Sequence, residues 1–443
     1  MKRLQHSEVD AGICRRRSPR LHPQIHASDE GATVVSRRST RLHPQTHTSD
    51  DGARVIRRPR GCRGNLLDNN DDMLWEILLR LPPQPSSLLR ASTVCKRWRR
   101  VATDPEFLRC FRAHHRKAPL LGLLVCGNNH EKEFHSVMDP PNRIPPKRFI
   151  LGHYNKPRYY VLSCRHGRVL IEDIKSKEVV VCDPITGEQH RLSVPPEFDM
   201  NNLSGAVLCA AGEQGHVHGS CHSSPFKVVM LSMYIHNNRR PLVRVFSSET
   251  GKWGNLISIE TQPKIIYGPC SSNTLVGNAV YWLSRYGRHD IVEFDLEGQN
   301  LSLIKGPRRM NDFGICQCQI IQIDDSIVGV AILSYHDIQV WRREVNSEGV
   351  SIWFSQRTVA LHNILNTLPQ ISETIPWNRL MGYDDDTNAI FLYMHNSAYM
   401  IQLKSMHSTK LDVRYSREYY PFRSFYLQGT TIAGGTNGAK KLG

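Results

Sequence analysis

Residues 71–83 read Asp-Asp-Met-Leu-Trp-Glu-Ile-Leu-Leu-Arg-Leu-Pro-Pro, which is the pattern of one short amphipathic helix. The apolar positions follow the i, i+3, i+4, i+7 spacing of a single helix face: Leu74, Ile77, Leu78 and Leu81. Asp71 and Asp72 stand where the positive end of the helix dipole stabilises acids, and Pro82-Pro83 ends the helix.

Two further helices are predicted directly downstream. Ser86 or Ser87 is placed to cap the second helix. One face of that helix is formed by residues at helical spacing: Leu88, Ala91, Cys95, Trp98 and Val101. Asp104-Pro105-Glu106 supplies a cap, a first-turn proline and a first-turn acid for the third. Three short helices make a marginal domain that would gain stability from a partner.

Together with residues 88–100 and 104–107, this stretch resembles the F-box of plant F-box proteins over nearly the whole motif. In that family the module binds a Skp-family adaptor, which joins it to a cullin and a RING subunit. The F-box protein is then the substrate receptor of a ubiquitin ligase. The resemblance implies that the family's apolar positions face either the adaptor or the module's own core, two groups that the sequence does not separate: Met73, Ile77, Leu78, Leu81, Pro82, Leu88, Val94, Cys95 and Trp98.

One position departs from the family pattern. Where the family usually has Leu-Pro before the acidic pair, this chain has Asn69-Asn70, and Leu66-Leu67 lies upstream. Loss of one anchor from a binding hot spot costs about 1–4 kcal/mol. We therefore expect adaptor binding weaker than is usual for the family.

Downstream the period of apolar residues changes to two, and turn signals multiply. Five units of short strands can be traced, beginning near residues 159, 227, 278, 327 and 389. Residues 181–188, 278–283 and 291–296 resemble the F-box-associated repeat region of plant F-box proteins. This resemblance implies a β-propeller or propeller-like domain over residues 118–430, with about five to seven blades.

Within these strands the aromatic residues are predicted to form blade core, because they alternate with polar positions: Tyr281, Trp282, Phe294, Trp341 and Tyr393. Target recognition is expected in loops on one face, the usual place for function on a rigid scaffold. No individual target-binding residue is singled out by the sequence.

The charge of the chain is concentrated at its N-terminus. Of the formal net charge of +16, half lies in the first 65 residues, so the large C-terminal part is close to neutral for its size. Residues 17–24 recur as residues 38–45 with a period of 21, rich in Arg, Ser, His and Pro. Such a segment cannot bury enough apolar surface to offset its ordering entropy. We predict a disordered basic tail over residues 1–64, an F-box over 65–117 and a flexible tail over 431–443.

Several function classes are excluded or disfavoured. No apolar run approaches the roughly 18 residues of a membrane helix, and the first residues lack an apolar leader core. The 12 cysteines are neither dense nor regularly spaced, which indicates reduced thiols in a protein of the nucleus or cytoplasm. No Walker loop, dinucleotide fingerprint or nucleophile elbow occurs, so a non-catalytic protein is predicted.

Two polar segments contain several potential metal ligands. Residues 216–222, His-Val-His-Gly-Ser-Cys-His, are the densest group of potential metal ligands but lack a second ligand pair at a recognised spacing. Residues 384–386, three aspartates, are typical of a charged turn. The sequence therefore predicts no metal and no cofactor.

The sequence favours a non-catalytic receptor that binds a Skp-family adaptor through the F-box and a protein target through the β-repeat domain. One alternative is a nuclear, nucleic-acid-associated protein that uses the basic tail and the cationic helix flanks, although the near-neutral main body disfavours it. Another is an F-box protein that no longer joins a ligase.

Overall fold

The computed structural model describes residues 69–127, 131–212, 216–219, 221–232, 240–259, 273–284, 290–334, 337–365, 378–426 and 440–442. All of them belong to one structural unit, residues 59–443. The tail predicted over residues 1–64 lies outside the described residues, as does most of the segment 431–443. None of the helices in the described part has both the length and the apolarity needed to cross a membrane.

Residues 69–115 form four helices: α1 (Asn69–Leu79), α2 (Ser87–Ser92), α3 (Lys96–Ala102) and α4 (Pro105–His115). The predicted second helix is thus two, because Cys95 adopts an extended conformation between them. The hydroxyl groups of Ser92 and Thr93 each donate to a carbonyl of the preceding turn at 2.7 Å. Such bonds compete with helical pairing, and the β-branched Thr93 and Val94 disfavour a continuous helix further.

Of the predicted helix caps, Asp104 is confirmed and Ser86 is not. Asp104 accepts a hydrogen bond from the Phe107 amide at 2.8 Å and so caps α4. Ser86 makes no capping bond to α2; its hydroxyl donates to Asn142 Oδ1 at 2.7 Å instead. Ser86 therefore joins the helical module to the segment around Asn142.

The helices bury one core cluster, whose members are Leu74, Leu78, Leu79, Leu88, Ala91, Val101, Ala102, Phe107, Cys110 and Phe111. Trp75 packs edge-on against Phe107, with 5.1 Å between ring centroids. Aromatic pairs in this geometry stabilise a core beyond their area alone. This cluster contains residues of all four helices and so stabilises their packing.

Most of the chain after α4 is built of strands, which pair antiparallel except for the last one. The first two are β1 (Leu120–Cys126) and β2 (Lys132–Ser136). One sheet contains β3 (Tyr159–Arg165), β4 (Arg168–Asp173), β5 (Glu178–Cys182) and β6 (Gln189–Ser193). The next contains β7 (Leu203–Cys209), β8 (Phe226–Ser232), β9 (Leu242–Ser247), β10 (Lys252–Trp253) and β11 (Ile257–Ser258).

Three more four-stranded sheets follow. The first holds β12 (Thr274–Val276), β13 (Ala279–Leu283), β14 (Asp290–Asp295) and β15 (Asn300–Lys305). The second holds β16 (Cys318–Asp324), β17 (Ile327–Leu333), β18 (Asp337–Val345) and β19 (Ser351–Ala360), and α5 (Leu361–Leu365) comes after it. The third holds β20 (Arg379–Asp384), β21 (Ala389–Met394), β22 (Ser397–Gln402) and β23 (Ser408–Leu411).

The last strands return to sheets begun much earlier. β24 (Glu418–Arg423) pairs with β1, which gives a three-stranded sheet in the order β2, β1, β24. β25 (Lys440–Leu442) adds a parallel strand to β6. In the described residues the strands therefore make six sheets, the blades of a six-bladed β-propeller, and five of them correspond to the units traced in the sequence.

Most of the aromatic residues predicted as blade core are buried. Tyr281, Trp282, Phe294 and Tyr393 are all buried, and Trp341 is half-buried against an inter-blade cluster. The inner strands β3, β12, β16, β20 and β24 lie beside one another or beside β7 around the centre of the propeller. Packing between neighbouring blades, with each blade presenting apolar side chains from alternate positions, holds the ring together.

Candidate functional site

The predicted adaptor-binding residues divide into two groups according to their exposure. Met73 and Ile77 on α1 are 68% and 50% exposed, and Val94 in the α2–α3 connection is 62% exposed. Pro82 and Cys95 are also exposed. We call these five residues the exposed F-box set. Met73 and Ile77 are four positions apart, so they lie on the same face of α1.

The other predicted residues belong to the module's own core. Leu78 and Leu88 are buried, at 0% and 4% exposure. Leu81 and Trp98 are half-buried and pack against the same core cluster. The sequence did not separate the two groups because both recur at helical spacing; the break between α2 and α3 places Val94 and Cys95 outside the core.

A buried carboxylate fixes the orientation of α1 against α3. Asp71 accepts hydrogen bonds from Arg97 and, at 2.6 Å, from Arg100. The Arg97 guanidinium holds the pKa of Asp71 below its usual range. These two cations of α3 are therefore paired within the module, which weakens the interpretation of this face as a phosphate-binding surface.

A second candidate site is a cavity of about 400 Å³ lined by residues of the inner strands β3, β12, β16, β20 and β24 and by Lys117. Four of its charged residues form two ion pairs: Arg165 Nε donates to Asp385 at 2.9 Å and Arg423 Nε donates to Asp384 at 2.9 Å. Burial raises the pKa of Asp385 to about 6, against the opposing effect of Arg165. Because the charges of these pairs largely cancel, the pairs favour a structural role, in which they hold the inner strands together, over the binding of a charged ligand.

The cavity also adjoins the start of the propeller. Lys117, two residues after α4, donates to the Asp386 carbonyl at 2.6 Å. Arg423 donates to the Ala118 carbonyl at 2.7 Å. The three aspartates predicted as a charged turn lie at the β20–β21 connection, where they bind cations of the chain itself.

The third polar group is in the connection between β7 and β8. His216, His218 and Cys221 converge there with Cys209, which the sequence analysis did not include. His222 points elsewhere and pairs with Asp183. Cys209 lies seven residues upstream of His216, at the end of β7. The β7–β8 hairpin brings it close to the loop residues. The spacing of ligands within residues 216–222 alone does not reveal this proximity.

Comparison with known proteins shows the family to which the chain belongs. Residues 71–112 match the F-box-like family, so the chain is an F-box protein with a β-propeller. Residues 160–423 match the family described as F-box protein AT5G49610-like, beta-propeller, which covers more than half of the chain. The chain belongs to this plant F-box protein family.

Three Arabidopsis thaliana relatives illustrate the extent of the similarity. F-box protein At5g03970 is 24% identical over 258 residues, which are 54% of this chain and 58% of the relative. F-box protein At5g49610 is 23% identical over 317 residues, 68% of this chain and 81% of the relative. F-box/LRR-repeat/kelch-repeat protein At2g27520 is 25% identical over 311 residues, 69% of this chain and 80% of the relative.

Solved structures give a weaker likeness. A protein of unknown function from Bacteroides caccae covers 69% of this chain at 11% identity and a TM-score of 0.34, with all of that structure aligned. The Malassezia sympodialis allergen Mala s 1 covers 58% of this chain at 7% identity and the same TM-score, with 82% of that structure aligned. Neither similarity carries an argument about function.

Proposed function

We propose that this chain is a substrate-recognition subunit of a Skp-cullin-F-box ubiquitin ligase. In this role the F-box binds a Skp-family adaptor, which connects it to a cullin and a RING subunit, and the propeller binds a protein target. The chain contributes proximity between the target and a charged ubiquitin-conjugating enzyme, and no acid or base chemistry of its own.

One observation carries the adaptor half of this proposal. Met73, Ile77 and Val94 are large apolar side chains that stay at least half exposed on a module whose neighbouring Leu78 and Leu88 are buried. Single exposed apolar residues are ordinary, but several on one small module mark an interaction surface. The matching family pattern supports a Skp-family adaptor as the partner.

The target half rests on the architecture of the F-box family. A rigid ring of six blades presents loops on its faces, and binding residues are commonly found on loops held by such scaffolds. The segment that follows α4 is fastened to the propeller by two hydrogen bonds: Lys117 donates to the Asp386 carbonyl, and the Ala118 carbonyl accepts from Arg423. A target held by the propeller would then have a defined position relative to the adaptor.

The test is co-purification of the full chain with a Skp-family adaptor on a sizing column in high salt. The variant Ile77→Glu places a charge in the exposed F-box set. Phe354→Glu on β19 is the matched control, because Phe354 is 49% exposed and Ile77 is 50% exposed. The proposal predicts a stoichiometric complex for wild type and Phe354→Glu, and its loss for Ile77→Glu.

A wild-type chain that runs without the adaptor would contradict the proposal. A salt-sensitive association with nucleic acid, unchanged by Ile77→Glu, would then favour the nucleic-acid alternative. Circular dichroism of each variant establishes that the module is folded. Leu78 is unsuitable for this test, since replacing a fully buried residue measures folding.

A further inference from the structure

The β7–β8 connection of the second blade brings four potential metal-binding side chains to one point. Cys209 ends β7, and His216, His218 and Cys221 follow in the loop before β8. Their ligand atoms all lie within 4.8 Å of one another. His216 Nε2 is 3.3 Å from the sulfur of Cys209 and 3.3 Å from that of Cys221, and His218 Nδ1 is 3.8 Å from Cys221 Sγ.

These separations are close to those around a tetrahedral zinc ion. With Zn–S near 2.3 Å and Zn–N near 2.05 Å, sulfur and nitrogen ligands of one tetrahedron are separated by about 3.6 Å. The observed sulfur-to-nitrogen distances fall on both sides of this value. Two thiols with two imidazoles form a donor set that suits zinc, whereas calcium and magnesium prefer oxygen.

The surrounding contacts hold the ligands in place. The His166 ring accepts the backbone N–H of Cys209 at 3.1 Å and stacks on His218, with 3.7 Å between centroids. Arg168 donates to the carbonyl of Cys221. Cys221 is buried, at 2% exposure. Outer contacts of this kind orient metal ligands and are a normal part of a metal site.

The same loop packs against the start and the end of the propeller. The Gly219 carbonyl accepts hydrogen bonds from the Phe425 amide at 2.8 Å and the Ser424 hydroxyl at 3.0 Å. Gly219 has φ +98°, and a Cβ there would overlap the methyl group of Ala118. Ala118 is the third residue after α4, so this loop touches the segment that links the F-box to the propeller.

We propose that Cys209, His216, His218 and Cys221 bind one zinc ion in a closed, structural site. The ion fastens the β7–β8 loop against Ala118 and the residues after β24. It thereby stabilises the junction between the F-box module and the closed ring of blades. The proposed site shares no residue with the exposed F-box set.

The first measurement is the zinc content of the full chain, purified under reducing conditions without chelator. We expect about one zinc per chain. His218→Ala and Cys221→Ser are expected to weaken zinc binding by at least about 100-fold, more than the loss of an outer contact costs. His222→Gln and Cys316→Ser are the matched controls, a histidine of the same loop and a half-buried cysteine elsewhere, and both are expected to keep zinc.

Cobalt provides a second measurement that does not depend on co-purified metal. Adding Co²⁺ to the metal-stripped chain should give the intense visible absorption of tetrahedral coordination and a thiolate charge-transfer band, both absent from Cys221→Ser. His218 is exposed, so His218→Ala tests the site even if Cys221→Ser does not fold. A chelator should lower the melting temperature of wild type and leave that of His218→Ala unchanged.

Three results would overturn the proposal. One is a wild-type chain that takes up neither zinc nor cobalt. Another is full zinc content in both ligand variants. The third is peptide mapping that finds Cys209 and Cys221 joined in a disulfide after reducing purification.

Discussion

Glu172 is a carboxyl group buried inside the first complete blade. It lies on β4 at 4% exposure, and Oε1 has no hydrogen-bond partner among the described residues. Burial, together with the smaller effect of the nearby Asp199 carboxylate, raises the pKa of Glu172 from the usual 4.5 to about 8. The folded state therefore holds a proton that the unfolded state has released between about pH 4.5 and 8.

The sign of the resulting pH dependence follows from linkage. Where the folded state binds more protons, stability falls as the pH rises, so Glu172 lowers stability progressively through this window. We predict that Glu172→Gln raises the free energy of unfolding at pH 8.5 by up to about 4 kcal/mol, with little effect at pH 4.5. Thermal melts at both pH values test it, with the exposed Glu249→Gln as control. An equal effect at both pH values would contradict the burial of an ionisable group.

Helical periodicity alone does not separate buried residues from exposed ones on α1. Leu78 and Ile77 are neighbours on α1 with the same chemistry, yet one is fully buried and the other half exposed. The helical spacing predicted both as apolar-face residues, and it could not assign them to core or partner because both surfaces select large apolar side chains. Only the position of α3 and α4 against α1 separates them.

At the scale of elements, α1 is the part of the F-box that departs from its family. It begins at Asn69, and the resemblance to plant F-boxes implies Leu-Pro in place of Asn69-Asn70. Proline is favoured in the first turn of a helix because its missing N–H has no helical partner there. A leucine before this proline would add an apolar side chain to the surface that we propose for the adaptor.

We predict that replacing Asn69-Asn70 by Leu-Pro tightens adaptor binding by about 1–3 kcal/mol, roughly five- to 150-fold in the dissociation constant. The measurement is a titration of the adaptor into wild type and the Leu-Pro variant. Unchanged or weaker binding would show that these positions do not contribute to the interface. Asp72→Ala in the same turn serves as the control for a general effect on α1.

The helices and strands were predicted unequally well. The cap and proline of α4 placed that helix correctly, because its signals are local. The break at residues 93–95 was missed, since Cys95 and Trp98 continue the spacing of Leu88 and Ala91. In the β7–β8 hairpin, the sequence identified the loop histidines as potential metal ligands. It did not identify Cys209, which comes close to them only because the chain folds back after β7.

At the scale of the whole molecule, the closing blade joins the two ends of the propeller. β1 pairs with β24, and Leu124 lies opposite Tyr420 although almost 300 positions separate them in sequence. Phe422 on β24 is fully buried and packs edge-on against Phe149 at 4.9 Å. The sequence revealed five units and missed this blade, because its third strand, β24, comes from the far end of the propeller and leaves only β1 and β2 as neighbours along the chain.

We predict that Phe422→Ala lowers the free energy of unfolding by about 3–5 kcal/mol, the cost of truncating a buried phenylalanine. The exposed Phe354→Ala should change it by less than about 0.5 kcal/mol. Denaturant unfolding of the full chain measures both. A loss below about 1 kcal/mol for Phe422→Ala would contradict ring closure as a main source of stability.

We infer above that the exposed F-box set binds a Skp-family adaptor. The most direct test is calorimetric titration of the adaptor into the full chain, carried out for wild type, Ile77→Glu and Phe354→Glu. We expect one adaptor per chain, an affinity at least about 30-fold weaker for Ile77→Glu, and no change for Phe354→Glu. Equal affinities for all three, or no binding by wild type, would contradict it.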